Sequence, residues 1–125
     1  MKLAVTRDAE GKTGLINLSV SEILYLEFDM TEKWVFVHTL EDRFYISGNL
    51  SYWAEALKAV GFGFEKVDRN VVVHLQKIKR LDRVFAYAFF EYEVQKNSKK
   101  VTLAQKHVKK VLSMVDEINP NIVIA

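Results

Sequence analysis

Cysteine is absent from this sequence, which excludes disulfide frameworks, thiolate nucleophiles and cysteine-held metals. Proline occurs once, at Pro120, and glycine five times, so collagen-like chains and proline- or glycine-rich disorder do not fit. No apolar run approaches the roughly 18–20 residues of a membrane-spanning helix. The amino terminus, MKLAVTRDAEGKTG, offers only Leu3, Ala4 and Val5 before Thr6, Arg7 and Asp8, too little for a secretory signal. A cytoplasmic protein with no membrane partner is the expectation. There is no G-x-S-x-G, P-loop or G-x-G-x-x-G pattern, and Gly61 to Gly63 reads as a helix stop. His38, His74 and His107 lack the short fixed spacings of zinc ligands, and His38 and His74 read as hydrogen-bonded structural residues. The paired carboxylates, Glu41 with Asp42 and Glu91 with Glu93, read as solvated surface. Neither a metal nor a cofactor is expected, and no catalytic constellation points to an enzyme.

What is present is a chain of 125 residues, half of them hydrophobic and 27% charged, enough for one packed domain. The net charge of +2 hides an uneven distribution. Residues 1–65 hold six Lys/Arg against ten Asp/Glu, a net of −4, and residues 66–125 hold twelve against six, a net of +6. A basic half of this kind favours a polyanionic partner, and nucleic acid leads because no amphipathic stretch couples the charge to a membrane-seeking face.

Most of the chain has the period of strands. LAVTR and GLINLSV flank the turn-forming DAEGKTG; ILYLEFD, WVFVHT and RFYIS follow, with MTEK as a hairpin connection. The period then lengthens to that of a helix over NLSYWAEALKAVGF, with Asn49 or Ser51 as the N-cap and Gly61 as the stop. Strand-like segments resume in FEKV, NVVVHL and KIKRLD. RVFAYAFFEYEV, with bulk at alternate and intervening positions, reads as one long strand covered on both faces and serving the core, against the alternative of a base-stacking platform. QKNSKK is a polar turn. The last element is a helix in which Thr102 and Gln105 fit a capping box. Its apolar stripe is Val108, Val111, Leu112 and Val115, with Lys106, Lys109, Lys110 and Ser113 opposite. Asn119 and Pro120 stop it, and NIVIA is an apolar tail that could join a sheet edge or a partner chain. The fold class expected is mainly β, antiparallel strands in small packed sheets with one short central helix and a C-terminal helix.

The order of these segments resembles the LytTR family of bacterial DNA-binding domains. The resemblance rests on ILYLE, WVFVHT with RFYISGNL, GFGFEKVDRNVVVHLQKIKRLD and VTLAQKHVKKVL, in that order and spacing. It implies a domain over residues 15–116, with residues 1–14 as an extension that adds a strand and 117–125 as a tail. It also implies binding to double-stranded DNA through loops: two enter successive major grooves, and a segment between them meets the minor groove and backbone. Carried across, the first loop contact falls at Lys33, the second at Arg69 and the third at Lys106. The chain departs from the family pattern at Asp68, Arg69 and Asn70, at His74, and at Ala104 and Gln105, where a Ser-Arg pair is usual. The receiver domain of many relatives has no counterpart ahead of the match, so regulation is expected from a partner protein, expression level or oligomerisation.

The candidate interface is therefore Lys33, Arg69, Asn70, Gln105 and Lys106, with Lys77, Lys79, Arg80 and Lys109 supplying phosphate attraction. The bland alternative for each lysine is a solvated face, and for Gln105 a capping residue. The expected partner is double-stranded DNA with repeated half-sites read by two copies, with a homodimer or a regulatory protein as further candidates. A competing class is a domain of this fold that has lost DNA reading and docks proteins through NIVIA or a sheet edge.

Overall fold

The computed structural model describes all 125 residues and contains eleven short strands and two helices. A hairpin of β1 (Lys2–Val5) and β2 (Ile16–Ser19) forms the outermost layer. Next comes an antiparallel five-stranded sheet in the order β5-β4-β3-β7-β6, made of β3 (Tyr25–Phe28), β4 (Val35–His38), β5 (Arg43–Ile46), β6 (Phe64–Asp68) and β7 (Val71–His74). A four-stranded sheet in the order β10-β9-β8-β11 follows, from β8 (Arg80–Asp82), β9 (Tyr87–Phe89), β10 (Lys100–Thr102) and β11 (Val123–Ile124). The mainly β, antiparallel architecture with two helices is the one expected from the sequence.

Across β3, β7 and β6 the middle sheet is buried on both faces, whereas β4 and β5 leave Phe36 and Tyr45 half-buried on one face, and side-chain alternation along the strands explains how. Leu26, Val72 and Phe64 point into one core with Val5, Leu18 and α1 (Leu50–Ala59). Tyr25, Val73 and Val67 point into a second core shared with the small sheet and α2 (Gln105–Ile118). Fully burying one such aliphatic side chain contributes about 1.5–3 kcal/mol, so the two cores hold the layers in one register. In α1 the Asn49 side chain accepts from the Tyr52 N–H at 2.8 Å, and Gly61, at φ +98°, takes the left-handed turn that ends the helix. In α2 Val111 and Val115 are buried with Val108 and Leu112 beside them, while Gln105, Lys106, Lys109, Lys110 and Ser113 are exposed.

Two expectations are corrected. Thr102 and Gln105 form no capping box: Thr102 lies in β10, and α2 starts after Ala104, whose side chain cannot cap. RVFAYAFFEYEV is not one long strand. Asp82 turns the chain by accepting from the Val84 and Phe85 N–H groups at 2.9 and 3.2 Å, Ala86 sits at φ +57°, and only Tyr87–Phe89 pair as β9. The face carrying Ala86, Ala88 and Phe90 is buried, whereas Phe85 is exposed and Tyr87 and Phe89 are half-buried on the other, so core packing accounts for one face only. The tail does reach a sheet edge, where β11 pairs in parallel with β8.

His74 is buried between the sheet and α1, stacked on Phe64 with ring centres 4.3 Å apart. Its Nδ1 donates to the Ile23 carbonyl at 2.8 Å, and Nε2 lies 3.0 Å from the Gln76 side-chain amide. Burial holds its pKa below the ordinary 6.5, against the two hydrogen bonds. A depressed folded-state pKa stabilises the fold above the ordinary value and loses that contribution as pH falls through it. His38 acts in the same direction, again chiefly through burial. Chemical denaturation between pH 7.5 and 5 should therefore show falling stability, and His74→Asn should flatten the acid limb by up to about 1.4 kcal/mol per pH unit.

Candidate nucleic-acid interface

The loops of the middle sheet meet solvent at its two ends. β3 finishes, β4 begins, β6 finishes and β7 begins at the same end, because Phe28 pairs with Val35, Glu27 with Val71 and Asp68 with Val71. The Phe28 N–H donates to the Asn70 carbonyl at 2.9 Å, which ties the β3–β4 hairpin to the β6–β7 turn. Lys33 is at the tip of the first and Arg69 and Asn70 form the second. The Ala104 N–H donates to the Val67 carbonyl at 2.8 Å, which brings the start of α2, and with it Gln105 and Lys106, to the same end. Residues more than 70 positions apart in sequence are thus gathered by three backbone hydrogen-bond arrangements.

The local chemistry leaves these cations free. Lys33, Arg69, Lys106 and Lys109 make no ion pair within the chain, whereas Lys110 is drawn sideways to Glu65 at 3.8 Å. Two of the acids nearby are turned into their own loops: Asp29 accepts from the Thr31 N–H at 3.2 Å, and Asp68 from the Arg69 N–H at 2.7 Å, while Glu32 is exposed beside Lys33. α2 carries its charges against its dipole, with Lys106, Lys109 and Lys110 near the positive end and Asp116 and Glu117 near the negative end. No side chain caps its first turn; the His107 N–H donates to the Ala104 carbonyl at 2.8 Å, and the Gln105 and Lys106 N–H groups have no backbone acceptor. Gln105, read as a capping candidate, is exposed at the first helical position with its side chain uncommitted to the cap.

The remaining predicted contacts lie elsewhere. Lys77 and Lys79 follow β7 at its far end, a strand's length of roughly 13 Å from Arg69. Lys79 sits over the Tyr92 ring at 5.4 Å, and the Arg80 guanidinium donates to the Tyr92 carbonyl at 3.3 Å, so both hold down the segment after β9. Lys109 lies one turn along α2 from Lys106, on the exposed face. The far end also carries His38, whose Nε2 is 2.9 Å from Glu27, and Lys99, which donates to the Asp42 carbonyl at 2.6 Å and to His38 Nδ1 at 3.4 Å. That cluster straps the loop before β10 to the β4–β5 turn. Its histidine role is structural, as the sequence suggested.

The sequence reading missed Arg83. It lies in the β8–β9 turn, which reaches the same end as Arg69 because Asp82 pairs with Tyr87, Tyr87 with Thr102, and the Leu103 N–H donates to the Ala86 carbonyl at 2.8 Å. The signal available was Asp82 beside Arg83, a turn-forming pair hidden inside a run taken for strand.

A model of the LytTr DNA-binding domain family matches residues 13–116. Among solved structures, the LytTr DNA-binding domain of a methyl-accepting/DNA response regulator from Bacillus cereus superposes with a TM-score of 0.60 at 16% identity, covering 94% of each chain. No curated protein matches the sequence.

Lys33 holds φ +65°, a left-handed conformation that a lysine adopts at a cost of about 1 kcal/mol and a glycine adopts freely. Lys33→Gly should therefore raise the stability of the fold by about that amount in thermal or urea unfolding, although it removes a charge from the interface.

Proposed function

The chain belongs to the LytTr DNA-binding domain family, and from that premise we propose that it is a bacterial transcription regulator that reads double-stranded DNA in a sequence-specific way. DNA binding itself follows from the family. The finer reading rests chiefly on one observation, the convergence of Lys33, Arg69, Asn70, Gln105 and Lys106 on one end of the middle sheet. In this reading the β3–β4 hairpin and the start of α2 each enter a major groove, and the β6–β7 turn with Arg69 and Asn70 lies over the minor groove between them. Lys106 and Gln105 approach base edges, because the first side chains of α2 are the ones aimed out of that end. Lys109 adds phosphate attraction one turn further on, and phosphate at the open first turn of α2 relieves the charges set against its dipole. Two copies occupy repeated half-sites.

No helix is long and apolar enough to cross a membrane. The alternative of a protein-docking module drew on the NIVIA tail or an exposed sheet edge; Val123 and Ile124 pair with β8, which makes β11 an edge strand of the small sheet. Lys77, Lys79 and Arg80 supply long-range attraction from the far end, where they do not touch the duplex.

Selection from a random double-stranded DNA library at near-physiological salt should enrich a short repeated motif with the wild-type protein and none with Arg69→Ala, Lys106→Ala. On the selected site, Lys106→Ala should cost roughly 1–3 kcal/mol and relax preference at one position. Lys109→Ala should weaken all duplexes alike and lower the salt slope by about one. Weak binding that enriches nothing and vanishes as salt rises would leave the protein without a specific operator.

A further inference from the structure

Beyond Leu15, the most exposed of the large apolar side chains lie at the tip of the β8–β9 turn. Val84 is 83% exposed and Phe85 65% exposed. Adjacent exposed apolar residues of this size call for an occupant. The tip is held in shape rather than left loose. The Asp82 carboxylate accepts from both the Val84 and Phe85 N–H groups, Ala86 takes φ +57°, and the Phe85 ring stacks on Tyr87 with centres 5.8 Å apart. Its place is set by the Ala86 carbonyl, which accepts from the Leu103 N–H at 2.8 Å, one residue before Ala104 leads into α2. The tip is therefore the neighbour of Lys106 at the basic end of the domain, with Arg83 exposed beside it.

We infer that Val84 and Phe85 are a fourth element of the DNA interface and cover thymine C5-methyl groups in the same major groove that receives the start of α2, with Arg83 on the adjacent phosphate. The inference rests on the DNA-binding reading above. Charge selects a duplex as the occupant: Arg83 continues the unpaired series of Arg69 and Lys106, and a rigid apolar pair bounded by such cations matches a groove wall of phosphates around a floor of methyls. The thymine methyl is the apolar group that a base pair displays in the major groove, so an apolar tip reads A·T pairs where a polar one would be indifferent. The preset turn also means that little ordering entropy is lost on binding.

The test uses the operator selected by the full chain, made once with thymine and once with uracil in its place, which removes only the methyls. Each is titrated with the wild-type protein and with Val84→Ser, Phe85→Ser. Both positions are exposed, so the variant should keep the wild-type unfolding temperature. The wild type should bind the uracil duplex more weakly, by about fourfold for each methyl the tip covers, and the variant should bind both duplexes alike at the wild type's uracil level. If wild type and variant respond equally to uracil, or the variant binds the thymine duplex as tightly as the wild type does, the inference is overturned and the DNA-binding reading stands. A wild type that selects no operator overturns both.

Discussion

Burial of β3, β6 and β7 on both faces is the constraint on which the rest of the structure depends. Leu26, Val72 and Phe64 face one core, and Tyr25, Val73 and Val67 the other, so the centre of the sheet is closed on both sides. Strands covered in this way have only their ends to offer, where backbone turns emerge with side chains that no packing demand restricts. The layer arrangement therefore places loops, rather than a free helix face, at the exposed ends of the sheet. The helices are occupied: α1 and α2 spend their apolar stripes closing the two cores.

The two ends of the sheet have opposite chemistry. At one, Lys33, Arg69, Arg83 and Lys106 are unpaired, and the nearby carboxylates of Asp29 and Asp68 bind their own turns. At the other, Glu27, His38, Lys99 and Asp42 satisfy one another and fasten the small sheet to the large one. Burial keeps the pKa of His38 low despite Glu27, and desolvation lowers that of Lys99. The basic end accepts local costs that a purely structural end would shed: Lys33 in a left-handed conformation, lysines at the positive end of α2 and exposed Val84 and Phe85. Such costs are tolerated where a ligand repays them.

Much of this was legible in the residues alone. Hydrophobic alternation located the strands of the large sheet, Asn49 and Gly61 bounded α1, and the stripe from Val108 to Val115 located the buried face of α2. His38 and His74, read as hydrogen-bonded structural residues, are buried and hydrogen-bonded. RVFAYAFFEYEV misled because aromatic and small residues alternate through it as in a strand, while the turn was set by one side chain, Asp82, reaching forward to two N–H groups. Thr102 misled because a capping motif competes with strand pairing, and pairing with Tyr87 won.

The sequence by itself determined the composition of the domain: a β-rich, half-hydrophobic chain, a basic second half, and a family resemblance that singled out Lys33, Arg69 and Lys106. Tertiary structure decided which cations share a surface. Lys77 and Arg69 are eight positions apart and lie at opposite ends of β7, whereas Arg69 and Lys106 are 37 apart and are brought to the same end by a hydrogen bond between Val67 and Ala104. The reason is geometric. A strand carries neighbours in sequence away from each other at roughly 3.3 Å per residue, and only pairing between strands, which depends on the whole set of buried side chains, returns distant residues to one place.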